Sequence, residues 1–148
     1  MKVAVLMGSP NDREKMAGAA AMLGRFGVEV EERVLSAHRN PAEVSVFASS
    51  ARDAGFAVII CGAGMAAHLA GVVAAHTTLP VIGVPLSGGA LNGVDALYAT
   101  VQMPRGIPVA TVAVDGSANA GILAAEILSV TDEHLAAKLG QFRAGGSR

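Results

Sequence analysis

Aromatic residues are scarce in this chain: they make up 3% of its 148 residues, and none is tryptophan. Large buried rings therefore cannot build the core, and Ala, Val, Leu and Gly must fill it. Charge is scarce too, at 16% against the usual quarter, with a net charge of −1 and no basic run or stripe. That excludes the electrostatic footprint of a nucleic-acid binder, and so sparse a charged surface points toward burial in an oligomer. The one cysteine, Cys61, lies inside an apolar run, so no internal disulfide is possible and a reduced, cytoplasmic protein is expected. No run approaches the ~18 apolar residues of a membrane span. The apolar start, Met1–Met7, stops at Gly8-Ser9-Pro10 and lacks the shape of a signal peptide. Gly-x-Gly-x-x-Gly, Gly-x-x-x-x-Gly-Lys and Gly-x-Ser-x-Gly are all missing, which withdraws support from dinucleotide-dependent hydride transfer, phosphate-loop ATP hydrolysis and an α/β-hydrolase elbow. Four scattered His and one Cys offer no metal-ligand spacing, so neither metal nor cofactor is expected.

What is present is a regular alternation. At this length one domain, 1–148, is the simplest division. Strands are predicted at Lys2–Met7, Val28–Leu35, Ala57–Cys61, Leu79–Val84 (closed by Pro85) and Val109–Val114. The first helix is expected to start with Asn11 as N-cap and Glu14 in the capping-box position. It turns Met16, Ala19, Ala20, Leu23 and Phe26 to one face and stops at Gly27. The second follows Asn40 as N-cap and Pro41 at N1, with Glu43 completing a second box and Val44, Phe47, Ala48 and Ala51 inward. A small-residue helix ends near His76. Others are predicted at Asp95–Val101, Ser117–Ser129 and about 132–143, the last with Leu135 and Leu139 on one side. The tail, 144–148, is expected to fray. Strands alternating with helices imply a parallel sheet covered on both faces, whose ligands sit beyond the carboxyl ends of the strands.

The loops after the first three strands are the chemically loaded ones. Gly8-Ser9-Pro10-Asn11-Asp12 leads into a helix N-terminus, suited to an anion or a ribose, though its spacing alone favours plain capping. Ser36-Ala37-His38-Arg39-Asn40-Pro41 carries an imidazole that can act as acid and base near neutrality. Beside it is a guanidinium with a two-pronged fork for phosphate or carboxylate. The same pair also fits a surface loop bonded to Glu43 or Glu32. Gly62-Ala63-Gly64-Met65-Ala66-Ala67-His68 offers small residues and backbone N–H groups for a carboxylate nest, or simply tight packing. His76 and His134 have no chemical neighbours in sequence and read as structural. Cofactor-free acid–base chemistry on a bound anion, or binding alone, remains.

These loops, with Leu79-Pro80-Val81-Ile82-Gly83-Val84-Pro85, Gln102-Met103-Pro104-x-Gly106-Ile107-Pro108-Val109-Ala110-Thr111-Val112-Ala113 and Asn119-Ala120, match one family in order and spacing over nearly the whole chain. The chain resembles the N5-carboxyaminoimidazole ribonucleotide mutases of purine biosynthesis. The resemblance implies a flavodoxin-like three-layer α/β/α sandwich with a five-stranded parallel sheet. It also implies a homo-octamer with sites at subunit interfaces, a small ribonucleotide substrate, and carboxylate migration from an exocyclic nitrogen to a ring carbon without cofactor. By the same resemblance His38 transfers protons and His68 lies at the migrating carboxylate. Ser9, Asp12 and Arg39 hold the ribose and phosphate, the backbone of Gly62, Ala63 and Gly64 borders the migrating carboxylate, and Asn11, Ser36, Ala37, Ala66 and Leu69 also bind the substrate. Where the family commonly has Gly and Pro, this chain has Met65 and Ala70, so the Met65 side chain must point away from the pocket or shrink it. Two alternatives stand beside this reading. One is the related carboxylase that uses free carbon dioxide, which carries a more polar loop where Ala66-Ala67-His68 stands. The other is a non-catalytic nucleotide-binding protein on the same fold.

Overall fold

The first strand, β1 (Lys2–Met7), is apolar on both sides because both sides are covered. Val3, Val5 and Met7 face one helical layer, while Ala4 and Leu6 face the other. That is the period-2 alternation of a pleated strand between two layers. The computed structural model describes residues 2–147. After β1 come α1 (Arg13–Phe26), β2 (Glu29–Val34), α2 (Pro41–Ser50), β3 (Phe56–Gly64), α3 (Leu69–His76), β4 (Val81–Leu86), α4 (Val94–Val101), β5 (Ala110–Thr111), α5 (Ser117–Ser129) and α6 (Glu133–Ala144). The strands are parallel and ordered β2-β1-β3-β4-β5. This is the flavodoxin-like order, and it reverses direction between β1 and β3.

One face of the sheet packs on α1, α5 and α6, with Met16, Leu23, Ile60, Ile82, Ala124 and Leu139 at its centre. The other packs on α2 and α3 through Val44, Phe47, Leu69 and Val73. With few aromatics to space them, α1 and α5 approach very closely. A Cβ on Gly121 would stand 2.6 Å from the Ala19 carbonyl oxygen, and one on Gly18 would stand 2.8 Å from Ser117 Oγ.

Several boundaries differ from the sequence reading, each for a local reason. Asn11 does not cap α1. Ser9 caps a short 3-10 turn, Pro10–Asp12, through Oγ and the Asn11 N–H at 3.3 Å, and α1 starts directly after it, at Arg13. Asn40 makes no side-chain bond to the backbone of α2; its amide meets Glu43 instead, at 3.4 Å. β3 runs on through Gly62–Gly64, which pair with Val84–Leu86. Pro85 therefore lies inside β4 rather than ending it. Its carbonyl accepts the Asp115 N–H at 2.9 Å, so its missing N–H faces the same side, where regular pairing with β5 has already ended. β5 is only two residues long. Beyond Thr111, Val112 and Asp115 still donate to the Gly83 and Pro85 carbonyls, but a turn at Ala113–Gly116 breaks the strand. Ala144, which the sequence places in the tail, is the last residue of α6. Gly146 and Ser147 close the helix by donating to the Arg143 and Phe142 carbonyls.

Candidate active site

The carboxyl ends of β1, β2, β3 and β4 converge on a cavity of about 360 Å³ over the switch between β1 and β3. Each strand contributes a loop whose shape its own residues fix. After β1, Ser9 organises the 3-10 turn that brings Asn11 and Asp12 to the rim. Burial pushes the Asp12 carboxyl above its ordinary range, against the opposing pull of the Ser9 backbone and Lys15. After β2, the Leu35 N–H donates to the Met7 carbonyl at 2.9 Å. Ser36 then ties the turn twice: its Oγ accepts the Arg39 N–H at 3.2 Å and its carbonyl accepts the Asn40 N–H at 2.8 Å. This turn presents Ala37, His38 and Arg39 to the cavity. The Arg39 guanidinium has no partner among the described residues, so its fork stays open to an anion.

The loop after β3 delivers the second imidazole. The Ala67 N–H donates to the Gly64 carbonyl at 3.1 Å, and α3 begins immediately after His68. The turn is made with Met65 at φ 51° and Ala67 at φ 42°, a left-handed backbone that side chains rarely adopt. It swings His68 onto His38. Nε2 of His38 and Nδ1 of His68 are 2.6 Å apart, and the rings meet edge to face with centroids 4.7 Å apart. Two residues that stand 30 positions apart in sequence thus form one hydrogen-bonded pair inside the cavity.

Of the residues singled out from sequence, the structure gathers Ser9, Asn11, Asp12, Ser36, Ala37, His38, Arg39, Ala63, Gly64, His68 and Leu69 around this space. Gly62 and Ala66 are not among the lining residues. Gly62 is buried in β3, where an added Cβ would overlap the Met16 side chain, and its carbonyl accepts the Gly8 N–H at 3.1 Å. Ala66 is at the exposed tip of the turn. The free backbone nest expected of Gly62–Gly64 is therefore largely spent on pairing with β4. Ser87, Gly88 and Gly89, which carry no role in the sequence motifs, close the cavity from the end of β4. The rule that ligands gather beyond strand carboxyl ends would have found them, since the Gly-rich loop follows the fourth strand. Met65 lines the cavity and its side chain, 61% exposed, leans on Gly89, 3.2 Å from where a Cβ would stand.

Two other features stand outside this cavity. A larger cavity, about 970 Å³, lies at the opposite end of the sheet around Arg52, His76, Leu79 and Pro80. It holds neither His38 nor His68, and it sits at the amino ends of the strands. Among the described residues His76 has one hydrogen-bond partner, Ser45, at 3.4 Å. Cys61 is fully buried and burial pushes its thiol well up, which removes it as a nucleophile.

A parallel sheet in flavodoxin-like order, with an imidazole pair and an open guanidinium at its switch point, defines an α/β domain equipped for proton transfer on a small anion. Residues 2–147 match the family described as AIR carboxylase, and the chain belongs to that family. It is 54% identical over 145 residues to the N5-carboxyaminoimidazole ribonucleotide mutase of Vibrio vulnificus strain CMCP6, covering 97% of this chain and 90% of that one. It is 52% identical to the mutase of Saccharolobus solfataricus, covering 95% and 89%. The phosphoribosylaminoimidazole carboxylase of Saccharomyces cerevisiae is 51% identical over 95% of this chain, which spans only 24% of that longer protein. Among solved structures, Treponema denticola PurE aligns with a TM-score of 0.89 at 29% identity, over 98% of this chain and 90% of that one.

Proposed function

We propose that residues 1–148 form a single mutase domain that converts N5-carboxyaminoimidazole ribonucleotide to 4-carboxy-5-aminoimidazole ribonucleotide in purine biosynthesis. The observation that carries the mechanism is the 2.6 Å bond between His38 and His68 inside the switch-point cavity. The N–C bond of the carbamate breaks and its electron pair returns to the exocyclic nitrogen, which takes a proton from His38. Carbon dioxide is released neutral into the cavity. The ring carbon then attacks it, a C–C bond forms, and His38 removes the ring proton, restoring its starting state. Atoms and charge balance with no redox change, so the reaction needs no cofactor. His68 holds the His38 ring and its tautomer through the shared hydrogen bond. Arg39 takes the phosphate, and Ser9, Asn11 and Asp12 take the ribose. Holding aminoimidazole and carbon dioxide together is worth roughly 7–11 kcal/mol relative to free encounter, which favours a small, walled space.

We further propose that the enzyme is a cytoplasmic homo-octamer with its sites at subunit interfaces. Leu91, Val94, Tyr98 and Val101 leave a large apolar stripe exposed on α4 and the loop before it. That loop begins at the cavity wall, and a stripe of this kind marks an interaction surface. Purified protein given the N5-carboxy substrate, or aminoimidazole ribonucleotide with bicarbonate, tests the reaction. The mutase reading predicts turnover of the first without added bicarbonate. Turnover of the second alone would assign the carboxylase reaction instead, and binding without turnover would assign a non-catalytic role.

A further inference from the structure

Ser87 is the last residue before the Gly88-Gly89 wall, and its polar atoms are all engaged by two residues from elsewhere in the chain. Its N–H donates to Asp115 Oδ1 at 2.9 Å. Its carbonyl and its Oγ both accept from Lys15 Nζ, at 2.6 and 2.9 Å. Burial alone would raise the Asp115 carboxyl, but the Ser87 hydroxyl and N–H, with the Lys15 charge, outweigh it and hold that carboxyl below its ordinary range.

Both outer members are themselves anchored. The Lys15 carbonyl accepts from Ser117 Oγ at 2.6 Å, at the close approach of α1 to α5. The Asp115 N–H donates to the Pro85 carbonyl at 2.9 Å. By contrast, Gly88 and Gly89 make no backbone hydrogen bond among the described residues, and stand at φ 137° and 63°. Two glycines in that conformation have little intrinsic preference for one geometry. What fixes this wall is the residue before it, together with Met65 leaning on Gly89.

We propose that Lys15 and Asp115 are positioning residues that act through Ser87 to hold the Gly88–Gly89 backbone in place as a wall of the substrate cavity. Neither lines the cavity itself. They set the geometry of a wall that an anionic ribonucleotide must meet, and a preformed wall lowers the ordering cost of binding. The kinetic part of this inference rests on the mutase reading; the structural part does not.

The test compares Lys15→Met, Lys15→Arg, Asp115→Asn and the double variant Lys15→Met/Asp115→Asn. KM and kcat are measured with the N5-carboxy substrate, and hydrogen exchange is followed in the peptide spanning residues 87–93. Lys15→Met and Asp115→Asn are each expected to raise KM about tenfold with kcat within about twofold, on the ordering argument. The double variant is expected to match the worse single one, because both act on Ser87. Lys15→Arg keeps donors for both oxygens and restores KM to within about twofold of the parent. Exchange rises in the 87–93 peptide and nowhere else. Unchanged KM and unchanged exchange overturn the proposal, as does a double variant whose effect is the product of the singles. If the parent protein does not turn over the substrate, the mutase reading fails and the exchange measurement alone decides the clamp.

Discussion

His38 and His68 are joined nitrogen to nitrogen at 2.6 Å. One ring donates and the other accepts, so the bond requires that the two rings are not both cationic. The bond engages Nε2 of His38, so a proton exchanged through its Nδ1 leaves the bond intact. In the proposed mechanism His68 is the group that aims His38. Replacing His68 with Phe is predicted to lower kcat about 10²-fold, the scale of a misaligned reacting group, while KM changes little. Steady-state kinetics decides it, and a rise in KM alone would place His68 in binding instead.

The Asp12 carboxyl predicts a trade between stability and function. Burial raises it above its unfolded range, so its contribution is fully favourable only below the unfolded value, ~3.9. That contribution is lost as pH rises through the higher folded value. At neutral pH the folded protein carries a partly buried charge at a cost. Asp12→Asn is therefore predicted to raise the thermal midpoint at pH 7 while weakening substrate binding, and the stability gain should shrink as pH falls through the raised folded value and be gone below about 4. Thermal melts across that range check the sign.

Met65 holds a left-handed backbone, φ 51°, with its side chain mostly in solvent. Met65→Gly is predicted to stabilise the chain by about 1 kcal/mol in urea denaturation, by removing a Cβ from a conformation that disfavours it. It also frees Gly89 from its contact.

Not every glycine near the site is there for the site. Gly62 packs under a Met16 side chain that can move, whereas Gly121 faces the Ala19 backbone oxygen, which cannot. Gly121→Ala is predicted to cost more stability than Gly62→Ala, each within about 1–3 kcal/mol, and the difference appears in denaturation midpoints.

The strands, the helices and most of the cavity lining are legible in the sequence because they follow short-range rules. Alternating Val3, Val5 and Met7 mark a covered strand, Gly27 ends a helix at φ 77°, and the loaded loops follow strand ends. What stays hidden depends on distant partners. That Gly62–Gly64 continue a strand depends on β4 being alongside. That Pro85 is tolerated within β4 depends on β5 having stopped. The Lys15–Ser87–Asp115 contacts join residues 72 and 28 positions apart, and no local pattern announces them. The histidine pair lies between these cases: each member is visible, but their bond is a product of the left-handed turn at Met65 and Ala67.

The most direct measurement is turnover of the N5-carboxy substrate by the purified protein and by its His38→Asn variant, with substrate binding followed in parallel. The parent is predicted to convert the substrate without bicarbonate, and the variant to bind it but lose roughly 10²–10⁴-fold in kcat, the range of a general acid–base group. A His38→Asn protein with undiminished kcat would contradict the account.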